Sequence, residues 1–118
     1  MSIRNNYSVK RKHEPMEGVR DHQIIHFFNG KIYEGEVMNG EFNGRGIIYD
    51  LKNWTYFEGS FKCGRRYGEG IEYFWNGDYE YASYNCREKK EGKALFFKND
   101  ESEPIVRVYK EGEKTREF

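Results

Sequence analysis

Residues 33–49, YEGEVMNGEFNGRGIIY, and residues 57–73, FEGSFKCGRRYGEGIEY, decide the fold between them. Laid one above the other they keep a constant offset of 24 residues. Gly35, Gly40, Gly44 and Gly46 then fall over Gly59, Gly64, Gly68 and Gly70, while Tyr33 and Tyr49 fall over Phe57 and Tyr73. A fixed period of this length marks a repeat architecture, in which each copy is one supersecondary unit that cannot bury its apolar face alone. A third copy is degraded: Ala82-Ser83-Tyr84-Asn85-Cys86 follows Gly59-Ser60-Phe61-Lys62-Cys63 at an offset of 23, and Gly92 is matched to Gly70. Upstream, Ile24 to Gly30 reads as the tail half of an earlier copy; downstream, Ile105 to Tyr109 reads as the front strand of another.

Within each copy short apolar runs alternate with polar residues, as Tyr33, Gly35 and Val37 do with Ile32, Glu34 and Glu36. That is the period of a strand. Asn29-Gly30 and Asn76-Gly77 are hairpin signals that predict type I′ turns, and Asn39-Gly40 is expected to open a longer turn closing at Gly44. The expected fold is all-β: an elongated, open, single-layer antiparallel β-ribbon of successive hairpins over residues 23–118. Clear repeats are expected at 31–53 and 54–77, a degenerate one at 78–100 and a partial one up to 118. Residues 1–22 form a basic, polar N-terminal arm in which Lys10-Arg11-Lys12 stands before Pro15.

Composition says what must fill such a ribbon. Leu occurs only at Leu51 and Leu95, whereas 10 Tyr, 9 Phe and 2 Trp make up 18% of the 118 residues. Rings must therefore carry the core, and their abundance excludes a disordered chain. Gly35, Gly46, Gly59 and Gly70 lie inside predicted strands, where glycine costs stability unless a neighbour needs the space. The expectation is that large rings lie flat over these glycines and so replace an aliphatic core.

The pattern Tyr33, Gly35, Val37, Gly40, Gly44, Gly46, repeated as Phe57, Gly59, Phe61, Gly64, Gly68, Gly70, resembles the MORN (membrane occupation and recognition nexus) repeat over residues 24 to 97. The sequence departs from that pattern at Val37, at Phe57 and throughout the third copy. The resemblance implies a ribbon that serves as a platform: a non-enzymatic scaffold subunit of a cytoskeletal, ciliary or other large assembly, bound to other proteins. On this expectation the partner-contacting rings are Tyr33, Phe57, Phe61, Tyr73, Trp75 and Tyr84, with the alternative that they pack internally.

Hairpins sort charge by rim. One rim collects Arg45, Arg65, Arg66, Arg87, Lys89 and Lys90, partly offset by Glu41, Glu69, Glu88 and Glu91; the other collects Asp50, Asp78, Asp100, Glu101 and Glu103 against Lys52 and Lys98. The basic rim suits an anionic lipid surface, which makes a peripheral membrane adaptor the second expectation. Twenty basic residues balance twenty acidic ones, so no overall field draws the chain onto nucleic acid. No apolar run approaches the roughly 20 residues that cross a bilayer, so a cytoplasmic protein is expected, with mitochondrial import left open by the acid-poor start.

Other motifs carry no chemistry. His22 and His26 flank Gln23 where a zinc protease helix would place Glu, so no metal is expected there. Cys63 and Cys86 fall at equivalent places in successive copies, about 10 Å apart across two strand spacings, and are expected to stay unbridged. Asn99 to Glu103 lacks the alternating ligands of a calcium loop. All three His precede residue 27, so no Ser-His-Asp order arises, and the glycines open no helix for a phosphate. Neither catalytic residues, a cofactor nor a small-molecule substrate is expected.

Overall fold

The computed structural model describes residues 7–11, as backbone, and residues 21–118. The expected arm over residues 1–22 falls largely outside them, Lys12 included. Ten strands follow in chain order: β1 (Tyr7–Arg11), β2 (Asp21–Phe27), β3 (Lys31–Met38), β4 (Glu41–Asp50), β5 (Thr55–Lys62), β6 (Arg65–Tyr73), β7 (Tyr79–Tyr84), β8 (Gly92–Phe97), β9 (Ile105–Lys110) and β10 (Glu113–Glu117). Each pairs with the next in one sheet whose spatial order is the chain order. All pairings are antiparallel and β1 and β10 are not joined, so the sheet stays open. Its extents are 47 × 26 × 20 Å. The described residues form no helix, as the strand-period sequence requires.

The two rims use different turn chemistry. On one, Asn39-Gly40, Cys63-Gly64 and Glu111-Gly112 are two-residue turns with φ of 52° and 80°, 51° and 82°, and 51° and 83°. Positive φ at both positions matches the right-handed twist of the strands. Asn39-Gly40 thus closes its own turn, against the expected longer loop to Gly44. On the other rim Asn29 and Asn76 do not take positive φ; only Gly30 and Gly77 do, at 85° and 91°. There each Asn side chain accepts a hydrogen bond from the backbone two residues on, Lys31 N at 3.3 Å and Asp78 N at 3.0 Å. Self-bonding Asn side chains support a wider turn, so the type I′ expectation at these two sites is corrected.

One face of the sheet carries the core. Tyr33 lies over Gly35 and Gly46: a methyl at Gly46 would fall 2.6 Å from Tyr33 Cε1. Phe57 repeats the arrangement over Gly59 and Gly70, and a methyl at Gly59 would meet Glu69 O at 2.7 Å. The Tyr33 hydroxyl donates to Glu36 O at 2.7 Å. Around these rings, Phe42 stacks on Tyr33 at 3.7 Å, and Phe61 meets Tyr33, Phe42 and Phe57 edge-on at 5.2, 5.8 and 5.6 Å. Tyr84 meets Phe57 edge-on at 5.3 Å. Burying rings of this size against one another stabilises by roughly 2 kcal/mol each, with edge-to-face geometry adding up to about 1 more.

Register carries the glycine row across the sheet: Gly35 pairs Gly46, Gly46 pairs Gly59, Gly59 pairs Gly70 and Gly70 pairs Ala82. Beyond it Tyr81 pairs Leu95, which sets Ala94 beside Ala82. Ala94 is therefore the counterpart of Gly70, and the match of Gly92 to Gly70 is corrected; Gly92 sits at the start of β8 opposite Tyr109.

Candidate functional site

Four of the expected partner rings face inward. Tyr33, Phe57, Phe61 and Tyr84 are buried on the core face, because the glycine slots that recur in the sequence are filled by the chain's own rings. They are not available to a partner. Tyr73 points to the opposite face, and Trp75 stands at the rim, 80% exposed.

On that opposite face strand alternation and register build a row of rings. Tyr49 pairs Tyr56, Tyr56 pairs Tyr73, Tyr73 pairs Tyr79 and Tyr79 pairs Phe97. Two contacts are tight and nearly coplanar: Tyr56 to Tyr73 at 4.5 Å and 15°, and Tyr79 to Phe97 at 4.7 Å and 13°. Two are splayed: Tyr49 to Tyr56 at 5.8 Å and 33°, and Tyr73 to Tyr79 at 5.8 Å and 32°. Tyr56 keeps 40% of its surface exposed. Tyr49, Tyr73, Tyr79 and Phe97 are part-buried, by one another and by their row neighbours. At its end Trp54 and Trp75, with Lys52 and Asn53, line a notch in the rim.

Beside the ladder runs a second row, Ile47 pairing Glu34 on one side and Glu58 on the other, and Glu58 pairing Ile71. Glu58 forms neither a hydrogen bond nor an ion pair with another described residue. Glu34 lies 3.9 Å from His22 Nε2 and lines one shallow cavity with Arg45 and Glu58. Burial first, then the Glu58 carboxylate, and then Tyr56 and Tyr79 raise the Tyr73 pKa. The ladder is thus aromatic and flanked by a row of mixed charge, in which Glu34 and Glu58 share a shallow cavity with Arg45 and His22. A parity argument could have found it: Tyr56 and Tyr73 stand one residue from the core positions Phe57 and Glu72, and so face away from them.

The basic rim is less free than its composition suggests. Arg87 pairs Glu111 at 2.8 Å, Arg45 donates to Ser60 Oγ at 3.3 Å and Arg66 lies 4.4 Å over the Phe57 ring. Lys90 points inward, where it contacts Glu80 and lies 3.5 Å from Glu72. Arg65 and Lys89 remain exposed. On the opposite rim Asp50 and Asp100 accept bonds from Lys52 N and Ser102 N, so these acids build turns.

A polar knot closes the core face. Glu80, 1% exposed, accepts from Lys90, from Tyr109 Oη at 2.8 Å and from Arg107 at 3.4 Å. Arg107 also reaches Glu117 at 3.2 Å and lies 3.9 Å over Phe96. Burial lowers the Lys90 pKa, but the hydrogen bond to Glu80, with Tyr84, Glu80 and Glu72 nearby, outweighs it and leaves the pKa raised. With every member occupied, the cluster holds the C-terminal strands together. Cys63 and Cys86 are both exposed free thiols on the rim. Neither a family model nor a curated protein sequence matches the chain.

Proposed function

We propose that the chain is a non-enzymatic, MORN-type repeat scaffold, a protein–protein interaction subunit of a cytoskeletal, ciliary or other large assembly. The observation that carries this reading is the continuous, part-exposed ladder from Tyr49 to Phe97 on the sheet face opposite the core. Part-exposed rings that already pack on one another lose little entropy on contact and anchor interfaces well. The glycine-ring slots on the other face keep the platform stiff, so a partner meets a preformed surface.

Affinity purification at high salt, with mass spectrometry of the retained polypeptides, tests it. The wild-type chain should hold partners that a Tyr56→Ser, Trp75→Ala variant loses. An empty list overturns the reading. So does retention that depends on anionic vesicles and disappears with Arg65→Glu and Lys89→Glu, which is the signature of the membrane-adaptor alternative.

A further inference from the structure

We propose that the rim cavity shared by Cys63 and Cys86 is a thiol-modification site, at which Cys63 captures an anionic, low-molecular-mass disulfide of the glutathione type as a mixed disulfide. The site lies on the rim opposite the notch of Trp54 and Trp75, and the inference goes beyond the scaffold reading without resting on it. Two features of the cavity carry it.

The first is the placement of the thiols. Cys63 takes the first place of the turn between β5 and β6, while Cys86 follows the end of β7. The connection after β7 lies against β6, where Arg66 N donates to Glu88 Oε2 at 3.1 Å. Both thiols are free and exposed, and both line one shallow cavity with Lys62, Arg65, Arg66 and Tyr67. A small disulfide seated there meets an accessible nucleophile, and access is one of the conditions that decide which thiol exchanges. An adduct on one cysteine also fills the space in front of the other.

The second is charge. The charged residues lining the cavity are all cationic; Glu41, Glu69 and Glu88 stand outside the lining. Lys62 and Arg65 are register partners on the two sides of the Cys63-Gly64 turn. Neither meets a carboxylate among the described residues, and Lys62 lies 5.2 Å over the Tyr67 ring. Arg66 turns its guanidinium onto the Phe57 ring instead. Beside Cys86 the charge is already matched, since Arg87 pairs Glu111 at 2.8 Å. The unpaired cations therefore stand at Cys63, which makes it the attacking thiol, and they attract and hold the carboxylates of an incoming anionic reagent. In the reaction the Cys63 thiolate attacks one sulfur of the disulfide; the new S–S bond forms as the old one breaks, and the other half leaves as a thiolate that takes up a proton to balance the one lost from Cys63. The reagent is itself the oxidant. The product is a reversible cap that lays negative charge over Lys62 and Arg65.

The probes are glutathione disulfide, the neutral hydroxyethyl disulfide and the cationic cystamine, each added to the reduced full chain and followed by intact-mass spectrometry. Dividing each rate by that on a capped Gly-Cys-Gly peptide removes the reagent's intrinsic reactivity. The normalised rate for glutathione disulfide should exceed that for cystamine about tenfold at low salt, with the neutral reagent between them, and the three should converge at high salt. One adduct per chain should form, mapped to Cys63; Cys63→Ser should abolish the salt-sensitive reaction and Cys86→Ser should keep it. Lys62→Gln with Arg65→Gln should slow glutathione disulfide about three- to tenfold and leave the neutral reagent unchanged, with circular dichroism read in parallel for an intact sheet. Equal normalised rates for the three reagents, an adduct mapped to Cys86, two adducts per chain, or an internal disulfide formed without an adduct would each overturn the proposal.

Discussion

Glu80 occupies in the third hairpin the place that Phe57 occupies in the second: both stand opposite Glu72, one on each side of β6. The substitution of a charge for a ring follows from the glycine row. Ala82 and Ala94 carry methyls where Gly59 and Gly70 carry hydrogens, so no ring can lie flat there. A carboxylate stands upright instead and is matched by Lys90, Arg107 and Tyr109. Removing it leaves the largely buried Lys90 with Glu72, 3.5 Å away, as its remaining carboxylate, and leaves Arg107 and Tyr109 without their shared acceptor. Glu80→Ala should cost about 2–4 kcal/mol, somewhat below the range for a fully buried pair because Lys90 and Arg107 keep partial solvent contact. Glu80→Leu combined with Lys90→Met should recover part of that loss, since it removes the buried charge and its main counter-ion together, while Arg107, Tyr109 and Glu72 each still lose a partner. Urea melts of the single and double variants measure it; a double variant no more stable than Glu80→Ala contradicts the account.

The same cluster and the first ring slot predict alkaline sensitivity. Tyr33 has its pKa raised above the ordinary tyrosine value, by burial first and by Glu36 second, and the Lys90 pKa is also raised. A raised folded pKa means stability that is complete below the unfolded pKa and lost as pH climbs from it through the folded pKa. Both groups have unfolded values of about 10 to 10.4, so the urea midpoint should hold steady up to about pH 9.5 and fall above it. Tyr33→Phe should flatten part of that fall while losing the hydroxyl bond to Glu36 O, at about 0.5–1.5 kcal/mol near neutrality. An unchanged alkaline slope in Tyr33→Phe argues against the Tyr33 contribution.

How much of this was legible in the sequence depends on parity. The 24-residue offset and the turn dipeptides specify hairpins, because glycines in register and Asn-Gly pairs leave few alternatives to a pleated strand. The ring-over-glycine slots were legible for the same reason. The exposed face was not, because sequence likeness ranks Tyr33 and Phe57 as the defining rings, and defining positions in a repeat are the ones that pack. Tyr56 and Tyr79 stand outside the glycine pattern and become a ladder only once antiparallel register brings them together. Glu80 was equally hidden, since its partners Lys90, Arg107 and Tyr109 arrive from β9 and from the connection between β7 and β8.

The repeats also point to a stabilising change. Cys63 with Gly64 adopts the turn that Asn39 and Gly40 adopt one copy earlier, with φ of 51° at Cys63 and 52° at Asn39. Asn tolerates that left-handed region better than Cys does, and Cys63 is exposed with no bridge to lose. Cys63→Asn should raise stability by about 0.5–1 kcal/mol in urea melts, within the range typical of turn optimisation. A loss of stability would mean that the thiol makes a contribution that turn geometry does not capture.

Glycine substitutions separate space from backbone conformation. A methyl at Gly70 would overlap Phe57, a fully buried ring with nowhere to move, whereas one at Gly92 would meet nothing within 4 Å but sits at φ of 84°. Gly70→Ala should therefore cost about 1–3 kcal/mol by overpacking, and Gly92→Ala about 1 kcal/mol by backbone strain alone. The two costs differ in what relieves them. Shrinking the ring with Phe57→Leu makes room for the methyl at position 70, so the double variant should lose about 1 kcal/mol less than the sum of the singles. Phe57→Leu with Gly92→Ala should add within about 0.5 kcal/mol, because no atoms are shared. Coupling absent from the first pair, or equal in both, would mean that the glycine row is kept for its backbone freedom and not for the rings that lie on it.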